Sequence, residues 1–333
     1  MRAMVLFDNA DIHSSPLKMT DYPDPVPAAG EVRLRVRCCG ICRTDLHVIE
    51  GELPPAKRPV IPGHQVVGVV EALGAGCHRL RIGQRIGVAW LRQTCGSCEF
   101  CGVGRENLCE AAQFTGYHAD GGYAELAVVP EEFAYQLPDS LDDALAAPLL
   151  CAGIIGYRAL QRSDVPGSGR LGLYGFGSSA HIVLQIAQYR GCEVFVVTRS
   201  DKHRQLAREM GAAWVGESAA DMPVKVDSAI IFAPAGELVP PALESLKKGG
   251  TLALAGIYMT PIPALDYTRQ LFYERNLRSV TANTREDGRN LLAEAAAASV
   301  QPHVTCYSLA EANVALQNLK DDRVNGTGVL MVS

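Results

Sequence analysis

Four cysteines stand close together with the spacing C-x2-C-x2-C-x7-C, namely Cys95, Cys98, Cys101 and Cys109. Thiolates separated by two residues can reach one metal ion, and four soft ligands satisfy the tetrahedral preference of a structural Zn²⁺. The same cysteines could instead form disulfides, or stand at this spacing by chance. The match to a known ligand spacing favours zinc, and we predict a closed structural zinc site in this stretch.

A second set of possible zinc ligands is dispersed along the sequence and comprises Cys42, His64 and Cys151. Each residue taken alone is more simply explained as a buried side chain, because a free cysteine packs as a small hydrophobic group. Three protein ligands are the number that a catalytic zinc uses, since the fourth position stays open for water or substrate. One closed site and one open site in the same chain predict an enzyme with a zinc-bound substrate.

A glycine-rich loop of the form G-x-G-x-x-G/A comprises Gly175, Phe176, Gly177, Ser178, Ser179 and Ala180. It follows a short apolar stretch, 170–174, and opens a stretch of helical periodicity, 178–190. The first glycine permits a tight turn, the second lets the backbone approach a pyrophosphate, and the small last residue permits close helix packing. The motif is weak alone, but its position between a predicted strand and a predicted helix indicates a dinucleotide site.

The residues after the next predicted strand bear on which nicotinamide cofactor is used. An NAD enzyme is expected to carry Asp or Glu there, because a carboxylate accepts hydrogen bonds from the ribose 2′-hydroxyl. This chain has Thr198 and Arg199 followed by Ser200, with Lys202 and Arg204 nearby. A hydroxyl and a guanidinium suit a 2′-phosphate. We therefore predict that NADP is preferred and NAD is possible; alternatively, Arg199 is a solvated surface charge and both cofactors are used.

Composition restricts the class of protein. The 333 residues exceed one ordinary core, so two domains are expected, and 48% of the residues are hydrophobic. No apolar run of 18 residues appears, so no membrane span is expected. Eleven cysteines without a signal peptide predict a reducing, cytoplasmic location. The net charge of −5 and the lack of a basic patch disfavour nucleic-acid binding.

The elements that must position these residues change in character near Pro148. Before it, apolar and polar residues alternate over 31–37, 66–73 and 83–89, which predicts half-buried strands of an all-β, partly open barrel; residues 1–8 read as an edge strand. After it, strands and helices alternate, which predicts a parallel sheet with crossover helices. The predicted strands are 170–174, 193–198, 226–232, 251–255 and 277–282, and the predicted helices are 178–190 and 201–210.

The predicted fold class is therefore α/β with two domains. Residues 1–150 form the β-rich catalytic domain, in which the cysteine lobe occupies about 90–112. Residues 151–284 form the nucleotide-binding domain. Residues 285–333, with one helix over 285–299 and a strand over 328–332, return to the first domain.

The whole chain resembles the zinc-dependent medium-chain dehydrogenase/reductase family, and in particular the bacterial ethanol-type alcohol dehydrogenases. The motifs that carry the resemblance, besides the glycine loop and the four-cysteine lobe, are Cys39–His47, Pro62–His64, Gly87–Leu91, Asp120–Glu125 and Pro148–Gly153. The resemblance implies a GroES-like β-barrel catalytic domain and a doubly wound, parallel-sheet Rossmann domain. It also implies one catalytic and one structural zinc per chain.

The resemblance assigns roles residue by residue. Cys42, His64 and Cys151 would hold the catalytic zinc, and the four clustered cysteines the structural zinc. Thr44 would hydrogen-bond the substrate oxygen, and His47 would pass the proton to solvent through the cofactor ribose. Asp45 would orient His64, Arg43 would lie near the cofactor pyrophosphate, and Trp90 would line the substrate pocket unless it is plain core.

The function expected from this resemblance is a zinc-dependent alcohol dehydrogenase or aldehyde reductase that uses NADP(H) or NAD(H) on a small alcohol or carbonyl compound. Two alternatives are a relative acting on sugars or polyols, and a non-catalytic zinc-binding member of the fold. A homodimer or homotetramer is expected, with 277–282 as the edge strand that could pair across a two-fold axis. One residue departs from the family pattern, because Gln65 stands where a glutamate usually follows the ligand histidine.

Overall fold

The computed structural model describes residues 1–332 and divides into two compact units. The first unit comprises residues 1–151, 282–296 and 301–332, and the second comprises residues 152–281 and 297–300. Cys151, which a boundary at residue 150 puts in the second domain, thus belongs to the first unit together with the other two candidate ligands.

The β-strands of the described chain begin and end as follows: β1 Arg2–Leu6, β2 Leu17–Asp21, β3 Glu31–Gly40, β4 Gln65–Leu73, β5 Arg85–Val88, β6 Leu91–Gln93, β7 Gln113–Phe114, β8 Leu126–Pro130, β9 Ala134–Gln136, β10 Arg170–Tyr174, β11 Glu193–Val197, β12 Trp214–Gly216, β13 Val226–Ile231, β14 Leu246–Leu254, β15 Asn276–Ser279, β16 Val304–Ser308 and β17 Thr327–Met331.

The α-helices are α1 Arg43–Glu50, α2 Glu99–Gly102, α3 Asp143–Pro148, α4 Ile154–Arg162, α5 Ser178–Tyr189, α6 Asp201–Glu209, α7 Val239–Ser245, α8 Arg285–Ala297 and α9 Ala312–Lys320. One helical stretch, Asp143–Arg162, has the length and composition of a membrane span, but 61% of its apolar window is buried inside the protein. A buried core helix passes the same test, so this stretch is weak support for a span.

A large β-sheet forms the body of the first unit. Its strand order is β16-β17-β3-β4-β5-β9, and β8 also pairs with β3. The predicted alternation in β3 is confirmed, because Val32, Leu34 and Val36 are each at most 1% exposed while the arginines between them point away from the core. Residues after 300 do return to this unit, since β17 pairs with β3 at Gly40.

A six-stranded parallel sheet forms the second unit, in the order β12-β11-β10-β13-β14-β15. The chain reverses its direction of strand addition between β10 and β13, which makes this a doubly wound sheet. Ligands of such sheets bind beyond the carboxyl ends of the strands at this reversal. The glycine loop follows β10 directly, so the fold places the loop at that point.

Several elements differ from the sequence expectation. The 251–255 strand begins earlier, at Leu246, and the N-terminal strand is limited to β1, which pairs with β2 outside the large sheet. Helices α1 and α9 and strand β16 were not predicted. They are short, and no apolar periodicity of useful length marks them.

Candidate active site

Cys42 lies at the N-cap of α1, where its sulfur and the carboxylate of Asp45 share the first turn. The Thr44 N–H donates to Cys42 Sγ at 3.2 Å, and the Cys42 N–H donates to Asp45 Oδ2 at 2.8 Å. These reciprocal bonds form a capping box with a thiol in place of the usual hydroxyl. The helix start therefore fixes the position of this sulfur and favours its thiolate form.

His64 is placed by a tight turn just before β4. Gly63 adopts φ +98°, and a Cβ at that position would lie 2.4 Å from Tyr123 Cδ1, so only glycine fits. The His64 ring is fully buried, and its Nδ1 lies 3.0 Å from Asp45 Oδ1. With Nδ1 directed at the carboxylate, Nε2 is directed at the sulfurs of Cys42 and Cys151, where it can act as a ligand.

Cys151 lies in a π-helical turn, Leu149–Gly153, that interrupts the helical stretch containing α3 and α4. Pro148, which has no N–H to donate, occupies the last position of α3 immediately before this turn. Such turns widen a helix locally and frequently occur at functional sites. Here the turn carries the third candidate ligand.

The three candidate ligand atoms converge on one point. His64 Nε2 lies 3.4 Å from both Cys42 Sγ and Cys151 Sγ, and the two sulfurs are 3.9 Å apart. A tetrahedral zinc would separate two thiolates by about 3.8 Å and a thiolate from an imidazole nitrogen by about 3.5 Å, given its usual bond lengths. The donor set and its spacing therefore fit a zinc ion with one open position.

The electrostatics of these groups also favour a cation. Burial alone would lower the pKa of His64, but the charges of Asp45 and Cys42 outweigh it and raise this pKa to about 10. The hydrogen bond from the Cys151 thiol, assisted by His64, holds the pKa of Cys42 well below its ordinary value. The same pairing with Cys42, together with burial, raises the pKa of Cys151. The site thus holds a thiolate beside a second sulfur and a carboxylate-backed imidazole.

The four clustered cysteines also converge, in a lobe around α2. Their sulfurs all lie within 4.8 Å of one another; Cys95 Sγ is 3.9 Å from Cys101 Sγ and 3.6 Å from Cys109 Sγ. Backbone N–H groups of Ser97 and Cys98 bond to Cys95 and lower the pKa of its thiol to about 6. No cysteine in residues 1–332 forms a disulfide. The arrangement fits a closed tetrahedral zinc site.

The residues expected to relay a proton lie on α1. Thr44 is 8% exposed, next to the sulfur of Cys42. His47, one turn further on, is half-buried and its Nδ1 contacts the carboxylate of Glu52, a contact that the sequence did not indicate. Arg43, at the exposed start of the helix, forms an ion pair with Asp322.

Trp90 lies against the ligand histidine and belongs to an aromatic cluster. Its ring meets the His64 ring edge-on, with centroids 5.0 Å apart, and stacks on Phe114 at 4.9 Å and on Tyr117 at 6.0 Å. The Tyr117 hydroxyl donates to the carbonyl of Pro54. Phe114 and Tyr117 were not predicted, because an aromatic residue in a β domain carries no signal of its own in the sequence.

The glycine loop of the second unit has the geometry that its motif predicts. Gly175 adopts φ +86°, and a Cβ there would lie 3.0 Å from the Ala233 nitrogen, whereas the space around Gly177 is open. Helix α5 begins at Ser178, and its N-cap residue Gly177 makes no side-chain cap hydrogen bond, so the loop directs a helix N-terminus, which attracts anions, toward the carboxyl end of β10. Phe176 and Ala180 are buried, while Ser178 and Ser179 are half-buried.

The turn after β11 carries Thr198 and Arg199 at the carboxyl edge of the same sheet. The Thr198 N–H donates to Gly216 O at 2.9 Å, and the residue is 7% exposed; the Arg199 side chain is exposed. Arg204, which the sequence placed near a 2′-phosphate, is 9% exposed and donates to the carbonyls of Thr198 and Arg199. Its guanidinium therefore stabilises the turn through hydrogen bonds to the backbone and does not face solvent.

Comparison with known proteins agrees with this architecture. Residues 28–139 match the alcohol dehydrogenase GroES-like domain family, and residues 180–297 match the zinc-binding dehydrogenase family. The chain is 49% identical to a probable alcohol dehydrogenase of Mycobacterium tuberculosis, covering 96% of this chain and 94% of the relative. It is 35% identical to an alcohol dehydrogenase of Geobacillus stearothermophilus, with 94% and 95% covered.

Among solved structures, a cinnamyl alcohol dehydrogenase from Sorghum bicolor superposes with a TM-score of 0.88 at 29% identity, covering 99% of this chain and 97% of the other. The resemblance seen in the sequence is thus confirmed along nearly the full length, and so are the GroES-like and Rossmann folds. The chain belongs to the zinc-type medium-chain dehydrogenase/reductase family and is an NAD(P)-dependent alcohol dehydrogenase or carbonyl reductase, an oxidoreductase that acts on CH–OH groups.

Proposed function

We propose that Cys42, His64 and Cys151 hold one catalytic zinc, and that the four-cysteine lobe holds one structural zinc. The observation that carries the first assignment is the convergence of two sulfurs and a carboxylate-oriented imidazole nitrogen at 3.4 to 3.9 Å. Two thiolates balance the charge of Zn²⁺, so the ligand shell is roughly neutral. Zinc in this shell would act as a Lewis acid on an alcohol or carbonyl oxygen.

The protein's own groups orient the reactants and move the proton. Asp45 keeps the proton on His64 Nδ1 and thereby fixes the orientation of the ligand ring. Thr44, beside Cys42, is the hydroxyl that hydrogen-bonds the substrate oxygen. His47 takes the proton toward solvent, because an imidazole can both accept and donate a proton.

The proposed substrate is a small or flat alcohol or aldehyde. Trp90 supports this assignment, because its bulk stands beside His64 and its ring is held by stacking on Phe114 and Tyr117. A bulky branched substrate would have to displace the Trp90 ring from its stacking contacts with Phe114 and Tyr117.

The proposed cofactor preference is NADP over NAD. The loop from Gly175 to Ala180 would bind the pyrophosphate through its backbone and the start of α5. Thr198 and Arg199 would bind the 2′-phosphate, and the turn that carries them has no carboxylate at position 198 to bind a ribose 2′-hydroxyl. Arg43 would lie near the pyrophosphate, which requires it to leave its ion pair with Asp322.

The proposed assembly is a homodimer or homotetramer. Strand β15 is an edge strand of the parallel sheet, and large apolar side chains in the segment before it are exposed, among them Ile257 at 66%, Tyr258 at 62% and Phe272 at 55%. Unpaired edges and apolar patches of this kind favour self-association. Light scattering on the purified chain tests this, and a monomer at micromolar concentration would contradict it.

The experiment that tests the proposed function follows the oxidation of NADPH and NADH in parallel with short and aromatic aldehydes. The same assays are repeated after removal of the metal and after addition of zinc. We expect turnover that depends on zinc and is faster with NADPH at subsaturating concentrations. Faster turnover with NADH would overturn the cofactor preference, and turnover by metal-free protein would overturn the zinc assignment.

A further inference from the structure

Arg204 is a buried cation at the base of the turn that carries Thr198 and Arg199. One of its terminal nitrogens donates to Thr198 O at 3.1 Å and to Arg199 O at 2.7 Å. The other contacts the carboxylates of Asp201 and Glu217, at 2.9 Å in the case of Glu217. A guanidinium offers donors in a fixed planar fork, so these contacts fix one arrangement of the turn.

The partners of Arg204 come from three consecutive segments of the second unit. The two carbonyls belong to the turn after β11, Asp201 is the first residue of α6, and Glu217 follows β12. The same turn is tied to the end of β12 by the bond from Thr198 N–H to Gly216 O at 2.9 Å. The turn is therefore held at both its N–H and its carbonyl side.

Charge gives this arrangement a second consequence. The side chains of Asp201 and Glu217 are 97% and 66% exposed, so without a cation between them they would present two negative charges beside the turn. A 2′-phosphate carries up to two negative charges, whereas a ribose hydroxyl carries none. Arg204 offsets one of these two negative charges, which favours a phosphorylated ribose over the same turn without the arginine.

We propose that Arg204 is a positioning residue for cofactor selection, which presets the Thr198–Arg199 turn and offsets one of the two negative charges of Asp201 and Glu217 so that the turn accepts a 2′-phosphate. This inference rests on the proposed function, since it assumes that the turn binds the cofactor ribose. Arg204 itself is not assigned a contact with the cofactor, because both of its terminal nitrogens are already engaged by carbonyls and carboxylates.

The test replaces Arg204 with Met, which keeps a long apolar stem and removes the guanidinium. The probes are 2′,5′-ADP and 5′-AMP, bound to the zinc-loaded protein and followed by calorimetry, with KM for NADPH and NADH measured alongside. We expect R204M to weaken 2′,5′-ADP by about tenfold, as the loss of charge-assisted bonds predicts, with 5′-AMP weakened far less. The kcat at saturating NADPH should change little, since no reacting atom is touched.

Three further variants separate positioning from folding. R208M removes an exposed arginine from the same helix and is the matched control, expected to leave both probes unchanged. R204K keeps the positive charge but loses the planar fork of donors, and it should retain part of the preference for 2′,5′-ADP. It replaces R204M in the comparison if R204M fails to fold. E217Q removes one carboxylate while Arg204 remains, and should leave 2′,5′-ADP binding intact or tighter.

The outcomes distinguish this inference from the proposed cofactor preference. If the wild-type protein binds 2′,5′-ADP no better than 5′-AMP, the NADP preference is wrong and the role of Arg204 falls with it. If the wild type prefers 2′,5′-ADP and R204M or R204K keeps the full preference, only the inference about Arg204 is overturned. Equal weakening of both probes would reduce Arg204 to a structural residue.

Discussion

Asp45 Oδ1 lies 3.0 Å from His64 Nδ1, and both side chains are almost completely buried. The second oxygen of the same carboxylate accepts the backbone N–H of Cys42. One carboxylate thus sets the ring orientation of one candidate ligand and the backbone of another. An aspartate three residues after Cys42 can therefore serve both groups at once, whereas a hydrogen-bond acceptor elsewhere in the chain would serve the imidazole alone.

We expect Asp45→Asn to weaken zinc binding at the three-ligand site by about 10- to 100-fold, the range found when a partner of a ligand histidine is lost. An amide cannot accept from both groups with the same charge. Competition with a chromogenic chelator measures the affinity. Glu311→Gln is the matched control, because Glu311 closes a capping box with Ser308 far along the chain. Equal zinc affinity of D45N and E311Q would contradict the role given to Asp45.

We expect two zinc ions per chain, and the loss of one from each of two cysteine variants. Cys151→Ser should lose one zinc and its turnover, because the three-ligand site is broken. Cys109→Ser should lose the other zinc and unfold at a lower temperature, because a structural zinc stabilises its lobe directly. Elemental analysis counts the metal. Cys77→Ser, whose thiol bonds to the Glu31 carbonyl outside both clusters, should keep both ions. One zinc in the wild type would contradict the assignment.

We expect the carboxylate of Glu131 to make the stability of the first unit depend on pH in the acid range. Its carboxylate accepts the N–H groups of His78, Arg79 and Leu80 at 2.9, 2.7 and 2.7 Å. Burial would raise its pKa, but these bonds hold the pKa below the ordinary value of 4.5. The stabilisation is therefore fully present above pH 4.5 and is lost as the pH falls through the lower folded pKa.

We expect Glu131→Gln to lower the free energy of unfolding by about 2 kcal/mol at pH 7, since an amide leaves part of these donors unpaired. The difference from the wild type should shrink as the pH falls below 4.5, where the native carboxylate also takes a proton. Urea unfolding at several pH values measures it. Glu132→Gln is the control, because the side chain of Glu132 is 58% exposed, and it should have little effect on the free energy of unfolding at any pH. A difference independent of pH would show that charge is not involved.

Sequence patterns predicted the elements with strong periodicity and those with special glycines. Strand β3 alternates apolar residues, and Gly175 fits a motif whose first glycine must adopt positive φ. The convergence of Cys42, His64 and Cys151 could also be predicted, because the family resemblance assigns all three to one site. Its geometry could not be predicted, since Cys151 approaches only through a π-helical turn.

Other parts of the structure depend on long-range packing that no local pattern records. Helix α1 is capped by a cysteine, although the usual capping residues are Ser, Thr, Asp and Asn. Arg204 illustrates the limit for charges, because the sequence shows a cation near the turn and the structure shows its donors already engaged. Strand β16 is only defined by its pairing with β17.

Trp90 should control the size of the accepted substrate. We expect Trp90→Ala to raise kcat/KM for a branched aldehyde relative to acetaldehyde by about tenfold, as the removal of a large side chain from a pocket permits. Steady-state kinetics with both aldehydes measures the ratio. Trp214→Ala is the control, because Trp214 is the only other tryptophan and lies in β12 of the second unit. If Trp90 is plain core, W90A will lower the melting temperature and leave the ratio unchanged.

Gln65 should bias the enzyme toward carbonyl reduction. Its side chain is fully buried, and neither amide atom has a hydrogen-bond partner among residues 1–332. The side chain fits because residue 40 is a glycine: a Cβ there would lie 2.8 Å from Gln65 Oε1. A neutral amide beside His64 leaves a bound zinc more electrophilic than a carboxylate would.

We expect Gln65→Glu to lower the ratio of kcat for reduction to kcat for oxidation by at least about threefold. A negative charge buried near the zinc would stabilise the alkoxide less than the present amide does, and a threefold change in rate requires only about half a pKa unit of interaction free energy. The kcat ratio is the proper readout, because the equilibrium constant fixes the ratio of the two specificity constants. Gln113→Glu, at an exposed position in β7, makes the same chemical change as a control, and an unchanged kcat ratio in Q65E would refute the bias.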